Sequence, residues 1–184
     1  MSKLTFEIKP SPSTNDHEVL VLVDGKTVLG EDHMGIDPRE FFAQFISLNT
    51  DQLLVGRCQC GTVGCDDYFI AVETTPDYVL WKEPKVACFD RSEYEGAVRE
   101  ASRDFSWEDG KRRAERLTEE ILGGRQTEDG FAFQWASARI APLLMKLSFI
   151  KEGQQKLLEF AWDGATDESV VEGARQFKRQ LAEQ

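Results

Sequence analysis

The sequence predicts an α+β protein built on antiparallel sheet, and three observations carry that reading. Short segments alternate apolar and polar residues with a period of two, as on a strand with one buried face. Those segments are joined by turns too short for the crossover a parallel pair needs. Helical patterns come in separate blocks and do not alternate one-for-one with strands. About eight or nine strands and about four helices are expected. Residues 1–184 read as a single α+β domain. The alternative is two lobes, 1–88 and 89–184, because β-rich sequence gives way to helix near residue 88.

Leu4, Phe6 and Ile8 alternate with polar residues and open the first strand, which "SPSTND" ends. "VLVLV" and "KTVLG" flank Asp24-Gly25, a type I′ hairpin signal because both turn residues need positive φ. "DPREFFAQFISL" predicts a helix with Asp37 as N-cap, Pro38 at the first helical position and Glu40 completing a capping box. Its Phe41, Phe42, Phe45, Ile46 and Leu48 would share one face. Strands follow at "QLLVGRC", "YFIAVE" and "YVLWK", the last two linked by a turn at Thr75-Pro76-Asp77. Asp90 with Glu93 starts a second helix, with Tyr94, Ala97, Val98 and Ala101 inward. Ser106 is expected to start a third, with Trp107, Ala114, Leu117 and Ile121 inward and Gly123-Gly124 as its stop. Three strands then alternate through Phe131/Phe133/Trp135, Met145/Leu147/Phe149 and Leu158/Phe160/Trp162. A last helix from about Thr166 buries Val170, Ala174, Phe177 and Leu181.

The chemistry concentrates in "GRCQCGTVGCDD", residues 56–67, which holds three of the four cysteines. Flanking apolar strands make it the end of a hairpin, with Gly61-Thr62-Val63-Gly64 as the loop and Cys60 facing Cys65 across its base. Cys58 and Cys60 would share one strand face. The expectation is reduced structural thiols, with no cofactor and no metal ligand. The first alternative is zinc held by Cys58, Cys60 and Cys65, with Asp66, Asp67, Cys88 or a histidine as fourth ligand. The second is a Cys60–Cys65 disulfide or redox pair. Paired C-x-x-C knuckles, the strong zinc signature, are missing.

No nucleotide loop, nucleophile elbow or EF-hand spacing occurs, so no catalytic residue is assigned. His17 and His33 sit in segments that read as turns, and a His33–Cys65 pair could form only through the fold. "KRRAER" at 111–116 reads as a solvated helix face, with Glu115, Glu119 and Glu120 as neighbours. Trp135 and Trp162 read as core because they are in phase with Phe133 and Phe160.

The run "CQCGTVGC" is similar to the SWIM zinc motif in its C-x-C followed by a later cysteine. Asp67 stands where that motif has histidine, and the spacer is shorter, so neither the fourth ligand nor nucleic-acid binding follows. "LLVGRCQCGTVGC", the strand at Trp81, "FDRSEYEGAV" and "FAWDG" resemble a set of hypothetical bacterial proteins sharing C-x-C-G-x-x-G-C. That resemblance spans roughly the last two-thirds of the chain and implies no activity.

The net charge is −11 and is spread along the chain. Seven basic face fourteen acidic residues in 1–88, and fifteen face nineteen in 89–184. Such a surface repels phosphate polymers and attracts cations. No apolar run approaches the roughly 20 residues of a membrane span, and the first residues lack the apolar stretch of a secretory signal. A cytoplasmic location, with thiols kept reduced, is therefore expected. The expected class is a non-enzymatic acidic interaction protein, engaging a basic protein partner and neither nucleic acid nor membrane. The competing class is a metal-binding or thiol-dependent enzyme centred on Cys58, Cys60 and Cys65.

Overall fold

A computed structural model describes residues 1–11, 15–46 and 51–183, with the side chains of 182 and 183 excepted. It is α+β: four helices and eleven strands in three antiparallel sheets among the described residues. Eleven exceeds the eight or nine expected because two strands, His33–Met34 and Ala87–Asp90, are too short to show a period. The chain divides into two compact units, Met1–Trp107 and Glu108–Gln184, so the composition break near residue 88 falls inside the first.

In the first unit, β1 (Leu4–Pro10), β2 (His17–Val23) and β3 (Lys26–Thr27) form one sheet in chain order. Asp24 and Gly25 take φ of 52° and 73°, both positive as the I′ hairpin requires. A five-stranded sheet runs β4 (His33–Met34), β5 (Gln52–Cys58), β6 (Tyr68–Thr74), β7 (Tyr78–Trp81) and β8 (Ala87–Asp90), again in chain order. Both histidines therefore stand on strands, His17 opening β2 and His33 opening β4, and not in turns. Polar ends of short strands look like turns in sequence.

Helix α1 (Pro38–Ala43) has Asp37 as N-cap, with Oδ1 accepting from the Arg39 N–H at 2.9 Å. It is only six residues long. Phe41 is fully buried, but Ile46 lies beyond the helix and is 84% exposed, so the expected apolar face stops short. Leu48 falls outside the described residues. The Gln44 side chain ends the helix by pairing with Leu54 like a neighbouring strand: its Nε2 donates to the Leu54 carbonyl (3.0 Å) and its Oε1 accepts from the Leu54 N–H (2.9 Å). Helix α2 (Arg91–Ala101) starts where expected, with Asp90 Oδ1 accepting from the Glu93 N–H at 3.0 Å. It packs on β1, β7 and β8, and Tyr94 and Val98 join Val21, Phe41, Val55, Ile70, Trp81 and Phe89 in the core.

The second unit begins with α3 (Gly110–Leu122), capped by Asp109 and not by Ser106. Asp109 Oδ1 accepts from the Arg112 N–H at 2.8 Å, and its ionised oxygen is the better partner for the helix's positive end. Trp107 precedes the helix and stacks on His17, with centroids 5.1 Å apart. The sheet is β9 (Ala132–Ala141), β10 (Leu144–Lys151) and β11 (Gln154–Ala161), with β10 central. Met145, Leu147 and Phe149 are fully buried as their alternation predicts. Trp135 departs from that pattern. Phe133 pairs with Phe149 while Trp135 pairs with Ser148, so a bulged residue on β9 turns the two aromatics to opposite faces. Helix α4 (Asp167–Glu183) buries Val170 and Ala174 and packs on α3 and β11. Gly173 permits the contact with β11, because a Cβ there would lie 2.6 Å from the Phe160 ring.

"KRRAER" is a second departure. Arg112 is 1% exposed and Glu115 fully buried, with Nη1 and Oε2 3.1 Å apart. Arg113 pairs with Asp167 (2.9 Å), and Arg116 with Glu108 (2.9 Å) and Glu120 (2.8 Å). One edge of the run is core, and Arg113 and Arg116 are neutralised. No helix among the described residues is long and apolar enough to cross a membrane.

Candidate metal centre

β5 carries Leu53, Val55 and Arg57 on its buried phase and ends at Cys58. The hairpin then opens into a loop over 59–67 before β6, wider than the four residues expected. Cys60 consequently sits in a turn and does not share a strand face with Cys58. Two glycines fold the loop back, Gly61 and Gly64 taking φ of 83° and 88°, a region that L side chains avoid. The Gly61 N–H closes the first turn on the Cys58 carbonyl (2.9 Å). The Gly64 N–H is held by both oxygens of Asp67, at 2.8 and 2.9 Å.

Beneath the loop lies Arg57, 6% exposed. Its Nε donates to the Gly35 carbonyl and its Nη1 to the Gly61 carbonyl, each at 3.1 Å. Its Nη2 lies 3.7 Å from Asp16 Oδ2. One guanidinium thus fastens the loop to the segment before α1. Sequence reading overlooked this residue, although its strand parity with Leu53 and Val55 was the available signal.

The result is convergence. The Sγ atoms of Cys58, Cys60 and Cys65 all lie within 4.8 Å of one another. All four cysteines are free thiols. Tetrahedral zinc with Zn–S bonds of about 2.3 Å needs sulfurs about 3.8 Å apart, so closure asks each pair to approach by at most about 1 Å. The fold brings two further candidates to this end of the sheet. His33 is the β-ladder partner of Cys58, and its Nε2 lies 3.5 Å from Asp66 Oδ2. Asp67 is committed to Gly64, and Cys88, on β8, is not part of the sulfur cluster.

The sulfurs are electrostatically unequal. Cys58 Sγ accepts from the Cys60 N–H at 3.5 Å. Cys60 is lowered to about 7, first by the backbone N–H of Thr62 and then by its hydroxyl. Cys65 is raised to about 11, because it shares hydrogen bonds with the sulfurs of Cys58 and then Cys60. Hydrogen bonds to a sulfur favour its thiolate, and a negative neighbour disfavours a second one. In metal-free protein, Cys60 alkylation should therefore rise steeply as pH passes through about 7, with Cys65 lagging until well above pH 9. Peptide mapping after timed iodoacetamide labelling reads this. Equal rates at Cys60 and Cys65 at pH 7 would contradict the assigned donors.

A second concave region lies between α1 and α2, a cleft of about 620 Å³ walled by Phe42, Phe45, Leu53, Val79, Tyr94 and Val98. Burial pushes the Tyr94 hydroxyl up to about 12, so it stays protonated, with the Trp81 Nε1–H donating to it at 3.4 Å. No cysteine or histidine lines this cleft. The chain matches no protein family, no curated protein and no solved structure.

Proposed function

We propose that this is a metal-binding protein whose Cys58, Cys60 and Cys65 hold one zinc ion, with the fourth position left to water or to the neighbouring Asp66. The carrying observation is the approach of the three sulfurs to within 4.8 Å of one another, at the end of a hairpin. That favours the first alternative of the sequence reading over purely structural thiols, which need no convergence. Thiolates suit zinc and other soft ions, and the Thr62 N–H and hydroxyl already stabilise the required negative charge on Cys60. Two of the three thiols are exposed, so the site is open to an incoming ion.

A thiol-dependent enzyme ranks behind it, because His33 directs Nε2 to Asp66 and catalysis needs a base aimed at the sulfur. The acidic-interaction reading, with a basic protein partner, rests on the charge of −11 and no particular face supports it further.

Elemental analysis of protein purified without added metal should find about one zinc per chain. Cys58→Ser, Cys60→Ser and Cys65→Ser should each abolish stoichiometric binding, while Cys88→Ser should retain it. Protein that holds no metal, takes up none from a zinc–chelator buffer, and leaves all four thiols reactive would overturn the proposal.

A further inference from the structure

The second unit contains a feature at odds with the acidic character of the chain. A groove of about 600 Å³ between the turn after α3 and the C-terminal half of α4 is lined by Arg125, Arg175, Lys178 and Arg179, with no acidic residue among the described residues of its wall. Arg175, Lys178 and Arg179 share one helix face by their spacing of three and four. Arg125 reaches the same groove from 50 residues earlier in the chain, so only the three cations of α4 stand together in the sequence. Arg179 pairs with Glu172 at 3.0 Å. Arg125, Arg175 and Lys178 make no ion pair among the described residues.

The charges can be weighed. Two helices end nearby, and each C-terminus supplies about half a negative charge. Together with Glu172 that offsets about two of the four cations, leaving about two positive charges unanswered among the described residues. Dipole capping alone thus does not account for the cluster. Guanidinium forks match the paired oxygens of phosphate and carboxylate groups, and three of the four cations are arginines. Ile121 and Leu181 give the groove an apolar side as well. A polymer would need a basic track continuing beyond the groove, and the four cations are gathered in the groove itself, so a compact ligand is favoured.

From this we infer that the groove binds a small, multiply charged oxyanion, a di- or triphosphate or a polycarboxylate, independently of the cysteine loop. The test is calorimetric titration of the full chain at low salt with pyrophosphate, tripolyphosphate and citrate. Saturable one-site binding of at least one probe is expected, and the preferred probe names the source as phosphate or carboxylate. Arg175→Ala with Lys178→Ala should weaken it by about tenfold or more. Lys26→Ala with Arg103→Ala removes the same charge from exposed positions in the first unit and should change affinity by less than about twofold. Absence of saturable binding to all three probes, or equal weakening in both variants, would overturn the inference. Tighter binding of a single-stranded oligonucleotide than of tripolyphosphate would overturn it too, by making the groove part of a polymer track.

Discussion

Glu115→Ala is expected to destabilise the second unit by about 3–5 kcal/mol. The carboxylate is wholly buried, and four donors converge on it. Arg112 Nη1 reaches Oε2 at 3.1 Å, while the Ala138 N–H and Arg139 Nε reach Oε1 at 2.9 Å and the Ser137 hydroxyl at 3.2 Å. Removing it takes a buried counter-charge from the Arg112 guanidinium, itself 1% exposed, and three of the hydrogen bonds that tie β9 to α3. Urea denaturation followed by circular dichroism should show a lower midpoint with an unchanged slope. Glu115→Gln keeps the shape and part of the hydrogen bonding, so its loss should be smaller. A midpoint unchanged in Glu115→Ala would mean that the two guanidiniums are satisfied without the carboxylate.

The second large effect joins fold to site. Arg57→Ala should cost about 3 kcal/mol, because charge-assisted bonds to the Gly35 and Gly61 carbonyls are lost at a buried position. Zinc affinity should also fall by about 10–100-fold, since the arginine fixes the backbone between two of the proposed ligands without touching the metal. Arg57→Lys retains the charge but not the fork, and should fall between the two. Competition with a chromophoric chelator measures the affinity, and thermal unfolding in chelator measures the stability separately. Full zinc affinity in Arg57→Ala would show that the loop holds its shape unaided.

How much of this was legible in the sequence depended on how local the cause is. Asp24-Gly25, Asp90 with Glu93, and Met145/Leu147/Phe149 were read correctly because turn, cap and strand phase are set by neighbouring residues. Trp135 was misplaced because one bulged residue inverts every later side chain, and nothing in its composition announces a bulge. Arg112 and Glu115 were read as solvated because charge weighs against burial until a specific partner is known. At the cysteine loop the residues were named but their meeting was not. Cys58 and Cys65 approach only because two glycines and Asp67 turn the chain back, and His33 arrives through the pairing of β4 with β5. The basic groove was legible only in its α4 half for the same reason, since Arg125 and α4 meet only after α3 and α4 pack.

In all three sheets the strands lie side by side in the order in which the chain makes them. Every pairing except that of β4 with β5, which spans α1, therefore needs only a short loop closure, and the entropy of closing a loop grows slowly with its length. The slow step in forming many β proteins is the search for partners far apart along the chain. Within each sheet that search is short, and assembly can proceed strand by strand from a hairpin of that sheet. Pairing between successive strands favours rapid sheet formation and shortens the time for which strand edges stay open to other chains. A chain that carries three clustered thiols gains from that speed, because fewer of its molecules linger unfolded with cysteines available for wrong pairing.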